Sequence, residues 1–338
     1  MSIYEFDILS RAAAPKTPGD AWTIPHALSI RPFLARGMDR LTEAKDYDPS
    51  PGLRDALNVA IAAGRPLLVT GEPGTGKTMA AYFVASRLGL GNPIRFQVRS
   101  DSRARDLLYE WDAVARLNAG GEVPPLEGGT SPERDFPFVK PGALWRAFRG
   151  QDQQPTVLLI DEIDKAPRDF PNDLLLELEE FRFTVDEYPP PENAVVCPRE
   201  RIPITIITSN SERRLPEPFL RRCIYHNIDM MPDQIERVVT KRIGQLEATE
   251  LRAPFLGDAL ECLHKVREDR SLDKRPTVDE FWTWLGTLDG PDAAGGRAMV
   301  IEVAGKIRNN ELVNLAVDLP NPGCLIKTDN DRQRMGAT

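Results

Sequence analysis

The eight residues GEPGTGKT, Gly71 to Thr78, constrain this chain more than any other stretch. They match G-x-x-x-x-G-K-[ST] in full, after a short apolar run, PLLVT, and before an alanine-rich run, MAAYFVASRLG. That context reads as strand, turn, helix. Glycines let successive backbone N–H groups curl around a polyphosphate, and the following helix offers its positive N-terminal end. The spacing places Gly71, Glu72, Pro73, Gly74, Thr75, Gly76, Lys77, Thr78 and Met79 around a nucleotide's phosphates. Lys77 is expected to reach the β- and γ-phosphates, and the Thr78 hydroxyl to ligate Mg²⁺. A chance match in a glycine-rich loop is the competing reading, and the strand–loop–helix context disfavours it.

A second acidic motif points the same way. VLLIDEID ends a nearly all-apolar run with Asp161 and Glu162. An aspartate at the carboxyl end of a strand, beside a phosphate loop, is placed to hold a metal through its water shell. Glu162 can then polarise the attacking water; a solvated surface acid is its bland alternative. Asp164 falls in the first turn of the next helix and needs no catalytic role.

Bulk properties exclude several classes. With 338 residues, 41% of them hydrophobic, the chain can bury a large core and is expected to form more than one domain. Fifty-one acidic against 43 basic residues give a formal net charge of -8, which argues against a protein that coats nucleic acid. The start, MSIYEFDILSRAAAPK, lacks a basic region followed by an apolar core, so no secretory signal is expected, and no apolar run approaches a membrane span. Cys197, Cys223, Cys262 and Cys324 form no Cys-x-x-Cys pair, and His26, His226 and His264 have no metal-ligand spacing. The expectation is a soluble protein of a reducing cytoplasm.

Patterning gives the organisation. Residues 1–47 are rich in breakers (APKTPGDAWTIPHALSIRP) and read as an extension. Residues 48–230 alternate strands and helices: LRDALNVAIAAG is helical, IRFQV a strand, ARDLLYEWDAVARL and GALWRAF helical pieces, TVLLID a buried strand and NDLLLELEEF a helix. FRFTVDEY and NAVVC offer a hairpin before the strand ITIIT, while NAGGEVPPLEGGTSPERDFPFVKPG is a loose section long enough to be functional or disordered. Residues 231–318 are helical throughout, and 319–338 read as a polar, frayed tail. The fold class expected is α/β, a parallel-sheet core of the P-loop NTPase type followed by a small all-helical domain.

The order of GEPGTGKT, LLIDEID, ITSN and LPEPFLRRC resembles that of an AAA+ ATPase, and among these the MoxR-like branch, over about Asp48 to Leu288. The resemblance implies ATP and Mg²⁺ as ligands. It implies that Asn210, after TIITS, is a sensor residue holding the hydrolytic water or γ-phosphate, although strand-end asparagines are common. It also implies that Arg222, with Arg221 as runner-up, is a finger reaching the γ-phosphate of a neighbouring subunit. Arg213 and Arg214 read as loop residues. In LDKRPTVDEFWTWL the resemblance favours Arg275, over Lys274, as a second sensor on the helical domain, with Pro276 in the first turn of a helix. FVKPGALWRAF resembles the segment after the branch's helix-2 insertion, and EEFRFTVDEY…CPRERIPITIITSN the hairpin that precedes its first sensor. PGAL and ITSN depart from its usual forms, which marks a divergent member.

The resemblance implies a homo-oligomeric ring, a hexamer, that remodels or assembles a protein partner, often one with a von Willebrand A domain. A nucleotide switch gating an effector, for instance in a defence system, is the alternative from another class. A DNA-directed restriction-type NTPase is permitted by basic runs such as RSDSRARD but ranks lower, because of the net acidity and the absence of a recognisable DNA-reading module. An aromatic pore loop would separate pulling from switching. FPFV, 136–139, is its candidate, against an equal reading as a buried hairpin. Core packing is the default for Trp111, Trp145, Trp282 and Trp284.

Overall fold

The computed structural model describes residues 44, 47–120, 131–133, 135–150, 154–229, 232–244, 249–269, 272–289 and 293–336. The extension expected over 1–47, apart from Ala44 and Tyr47, and residues 121–130 of the loose section lie outside them. The described residues fall into two units that divide after Asp229.

The first unit opens with α1 (Pro51–Ala63). The Ser50 hydroxyl accepts the Leu53 N–H at 3.2 Å, Pro51 presets the first turn, and Gly64 ends the helix in the left-handed conformation. Then come β1 (Leu67–Gly71), α2 (Lys77–Leu88) and β2 (Ile94–Gln97). An insertion follows, with α3 (Ala104–Leu108), β3 (Tyr109–Trp111), α4 (Ala113–Asn118), β4 (Val139–Pro141) and α5 (Ala143–Arg149). Next are β5 (Val157–Asp161), the short helices α6 (Phe170–Asp173) and α7 (Leu175–Glu180), and a hairpin of β6 (Arg182–Thr184) and β7 (Ala194–Val196). The unit ends with β8 (Ile204–Ser209), α8 (Glu217–Leu220) and β9 (Ile224–Ile228).

Five strands form one sheet in the order β2-β5-β8-β1-β9, every pair parallel. The central strands must be apolar on both faces, because helices cover both. Leu68, Leu158, Ile160 and Ile207 pack into a cluster with Trp145 and Phe148. Their alternate neighbours Leu67, Val69, Val157, Leu159 and Ile206 pack with Ala80, Ala81 and Ala85 of α2. These alanines let the helix approach the sheet closely. Parallel pairing also gathers the carboxyl ends of β1, β2, β5 and β8 at one edge, where Gln97 stands opposite Asp161 and Thr70 opposite Ser209.

Three local readings are corrected. ARDLLYEWDAVARL is not continuously helical: Tyr109–Trp111 leaves the helix and pairs antiparallel with Val139–Pro141. The reason is tertiary, since Trp111 packs edge-on against Phe138 and Tyr188, and Asp112 caps a new helix through the Ala115 N–H at 2.8 Å. NDLLLELEEF splits into α6 and α7 at the buried Leu174. Ile224–Ile228, not read as a strand, is the sheet edge beside β1. The hairpin read in FRFTVDEY and NAVVC is β6–β7.

The second unit contains α9 (Pro232–Gly244), α10 (Phe255–Glu268), α11 (Val278–Gly286), α12 (Ala294–Arg308), α13 (Leu315–Asp318) and α14 (Asp329–Gly336). Val239, Leu263, Phe281, Trp284 and Val300 centre its core. Residues 319–336, read from sequence as a polar tail, add Leu319, Leu325, Ile326 and Met335 to it. The Trp284 indole donates to the Pro320 carbonyl at 2.7 Å, and the buried Asp331 carboxylate accepts the Asp273 N–H at 2.8 Å. Thr277 is the N-cap of α11, closing a capping box with Glu280, so Pro276 precedes the cap instead of entering the first turn. Among the described residues no helix is long and apolar enough to cross a membrane.

Candidate active site

The sheet edge described above carries the glycine loop. Gly71, Gly74 and Gly76 have φ of 147°, 80° and 87°, which side chains disfavour. At Gly71 a Cβ would stand 2.5 Å from the Ile228 carbonyl oxygen, and at Gly76 2.9 Å from the Tyr47 ring. Glu72, Pro73 and Gly74 are exposed. Thr75 is buried and its hydroxyl donates to the Glu72 carbonyl at 2.9 Å, while the Met79 N–H donates to the Gly76 carbonyl at 2.9 Å.

Lys77 opens α2 and folds back into the loop. Its Nζ donates to the carbonyls of Gly71 and Glu72, both at 2.8 Å. Burial pulls the ammonium below the usual lysine range, against the pull of Asp164, Asp161, Glu162 and Glu72. A buried cation among exposed backbone turns is what a polyphosphate would meet on entering.

Asp161, only 3% exposed, ends β5. Its Oδ1 accepts the hydroxyls of Thr208 at 2.6 Å and Thr78 at 3.2 Å. Its Oδ2 accepts Arg95 Nε at 3.0 Å and Nη2 at 2.6 Å. Glu162 then turns left-handed, at φ 62°, and donates its N–H to Thr208 Oγ1 at 2.9 Å. That turn carries its carboxylate past the strand end. Its Oε1 accepts the Asn210 amide at 3.3 Å, and Oε2 accepts Gln97 Nε2 and Lys165 Nζ, both at 2.7 Å. This carboxylate holds the Lys165 ammonium above the usual lysine range. Asp164 lies in a one-turn 3₁₀ segment and is buried; its carboxylate accepts the N–H groups of Asn210 and Glu212 at 3.2 and 3.0 Å.

The structure thus brings Lys77, Thr78, Asp161, Glu162 and Asn210 together. The hard oxygens of Thr78 and Asp161 beside the phosphate loop fit a Mg²⁺ ion. Arg95, Gln97, Thr208 and Lys165 join them without having been singled out in the sequence. A signal existed for two: Arg95 and Gln97 are two apart on a strand and therefore share a face.

Arg221 and Arg222 make contacts of their own at the end of the first unit. Arg222 is exposed, its Nε donating to Glu179 at 2.9 Å and Nη1 to the Pro218 carbonyl at 3.2 Å. Arg221 pairs with Glu217 at 3.2 Å along α8. Arg213 and Arg214 are exposed, and Arg213 approaches the Ala166 carbonyl at 3.5 Å. Lys274 and Arg275 belong to the second unit and are exposed, with Lys274 3.8 Å from Glu280. Phe136 of FPFV is 4% exposed, edge-on to Trp145 and Tyr188, which favours the buried-hairpin reading.

Residues 67–229 match the family described as "ATPase family associated with various cellular activities (AAA)". No curated protein matches the chain. Among solved structures, a provisionally assigned ATPase from Cytophaga hutchinsonii ATCC 33406 is similar at 15% identity and a TM-score of 0.39, over 92% of this chain and 86% of that one. NtrX from Brucella abortus is similar at 15% identity and a TM-score of 0.40, over 86% of this chain; the chain spans only 58% of that protein. The match begins at the first residue of β1 and ends just past β9, so it spans the five-stranded sheet and the loop just described.

Proposed function

We propose that this protein binds ATP with Mg²⁺ and hydrolyses it, and that it does so as a ring whose members complete each other's sites. The observation that carries the reading is the meeting of Lys77, Thr78, Asp161, Glu162 and Asn210 at one sheet edge. In this reading Lys77 leaves the Gly71 and Glu72 carbonyls for the β- and γ-phosphates. Thr78 and Asp161 hold the Mg²⁺, which when bound would neutralise charge on the phosphates. Glu162 takes up the attacking water and Asn210 orients it or the γ-phosphate. Arg222, exposed on its own chain, serves the next subunit's ATP, and Arg275 acts as the sensor of the helical unit. Insertions at β3–β4 and β6–β7 support the MoxR-like assignment, with remodelling of a protein partner as the output.

The nucleotide-switch reading gains from one observation. The aromatic Phe136 is buried in the insertion, so it does not offer a pulling loop. ATPase activity per subunit, measured across protein concentration with particle mass at each point, separates the two. Activity that climbs as rings form, and is absent in Lys77→Ala, supports the motor. Nucleotide binding without turnover at any mass supports the switch.

A further inference from the structure

We propose that Arg95 is a positioning residue that holds the place of the metal on Asp161 and couples its arrival to the grip on Glu162. The inference rests on the nucleotide reading above and adds a residue to it.

A carboxylate offers about four acceptor positions. At Asp161 all are taken: two by the hydroxyls of Thr78 and Thr208 on Oδ1, two by Nε and Nη2 of Arg95 on Oδ2. The Thr78 bond is compatible with a nearby cation, since a hydroxyl that donates to Asp161 keeps its own oxygen available as a ligand. The guanidinium bonds are not. A metal or its water needs a lone pair on Oδ2, and a second cation beside a divalent one is repelled. Arg95 therefore has to release Asp161 before the metal can be held. It is placed to do so, with 37% of its side chain exposed while Asp161 is enclosed.

Arg95 also reaches the second acid. Its Nη2 donates to Gln97 Oε1, and Gln97 Nε2 donates to Glu162 Oε2 at 2.7 Å. Neither orientation of the amide is free. Glu162 accepts only, so it must meet the NH₂ end, and Arg95 donates only, so it must meet the oxygen. One chain of charge-assisted bonds thus runs Asp161–Arg95–Gln97–Glu162. When Arg95 leaves, Gln97 loses the partner that fixes its amide, and its bond to Glu162 is no longer held in one orientation. In this way occupancy of the metal position loosens one of the three donors on the carboxylate that handles water, leaving Lys165 and Asn210 in place.

The test is metal affinity, read without turnover. Mn²⁺ is titrated by electron paramagnetic resonance into the full chain with a non-hydrolysable ATP analogue, for wild type, Arg95→Ala and Arg95→Gln. Thermal unfolding is followed with and without metal. Removing the competing cation should lower the half-saturating Mn²⁺ concentration by about tenfold. Metal should also raise the midpoint of Arg95→Ala more than that of wild type, because it replaces a lost counter-ion. Arg95→Gln, which keeps a donor without the charge, carries the same expectation if the alanine variant does not fold. Unchanged or weaker metal affinity in the folded variants, with wild type binding metal and analogue, overturns the Arg95 proposal alone. Failure of wild type to bind analogue with metal overturns the nucleotide reading and this proposal with it.

Discussion

The carboxylate of Asp164 accepts the backbone N–H of Asn210 at 3.2 Å, and that of Glu212 at 3.0 Å. One side chain from the turn after β5 thereby fixes the loop after β8, which is what brings the Asn210 amide within 3.3 Å of Glu162. The role is structural and its removal leaves two donors without an ionised acceptor. Asp164→Ala should lower the unfolding free energy by about 2 kcal/mol. It should also speed hydrogen exchange at the Asn210 amide, while ATP analogue binding persists. Denaturant unfolding with amide exchange checks both, and a variant as stable as wild type would show that the bracket is idle.

What could be read beforehand follows from how local the information is. Gly71 to Thr78 and Asp161–Glu162 are contiguous motifs whose chemistry dictates residue type, so they were legible from spacing alone. Asn210 was legible through its place after an apolar run and through the resemblance. The spacing of Arg95 and Gln97 shows only that they share a face; that Arg95 and Thr208 reach Asp161, and Gln97 reaches Glu162, follows from the sheet order β2-β5-β8, a non-local outcome. Tyr109–Trp111 misled for the same reason: a helical local pattern gives way to pairing with a distant strand and to the rings of Phe138 and Tyr188. The last residues misled by composition. A few apolar side chains, Leu325 and Ile326 among polar neighbours, suffice to dock a segment that averages as polar.

Glu162 is held by three donors, Gln97, Lys165 and Asn210. Glutamine in its place keeps the shape but presents an NH₂ to groups that donate, so at least one contact is lost and no base remains. Glu162→Gln should bind ATP about as well as wild type and turn it over about 10²–10⁴-fold more slowly. Single-turnover hydrolysis with bound nucleotide measured separately makes the distinction. Unchanged turnover would remove Glu162 from the chemistry.

A pH effect is expected away from the site. The buried Arg201 donates to the Glu133 carboxylate and, at 2.8 Å, to the Arg149 carbonyl, tying residue 133 to α5 and to the lead-in of β8. The hydrogen bond from Arg201 holds the Glu133 carboxyl down at about 2, from 4.5, against a smaller effect of burial. A carboxyl depressed in the folded state adds stability above its unfolded value and loses it as pH falls through the folded one. Glu133→Gln should therefore be less stable than wild type by a constant margin at neutral pH. That margin should shrink between 4.5 and about 2. Glu133 is half exposed, so the margin is small. Urea midpoints of both proteins across that range test it, and a margin that does not change with pH would assign the effect to something other than this pair.

Arg222 and Glu179 form an ion pair with 44% and 59% of their side chains exposed. Such a pair is worth about 0–1 kcal/mol, so Arg222→Ala should unfold within about 0.5 kcal/mol of wild type. If the guanidinium instead serves a neighbouring γ-phosphate, its loss should cost on the order of 10³-fold in turnover, about 4 kcal/mol of barrier, with ATP still bound. Glu179→Ala, which only frees the arginine, should not slow turnover, and Arg221→Ala should be near wild type. Mixing decides between cis and trans action. Arg222→Ala subunits keep Glu162 but lack the finger, and Glu162→Gln subunits keep the finger but lack the base. Where the two meet in one ring, a subunit with its own Glu162 receives an arginine from its neighbour, and activity should return although each variant alone is inactive. A mixture that forms rings yet stays inactive would place the arginine's action within its own chain or outside the reaction altogether.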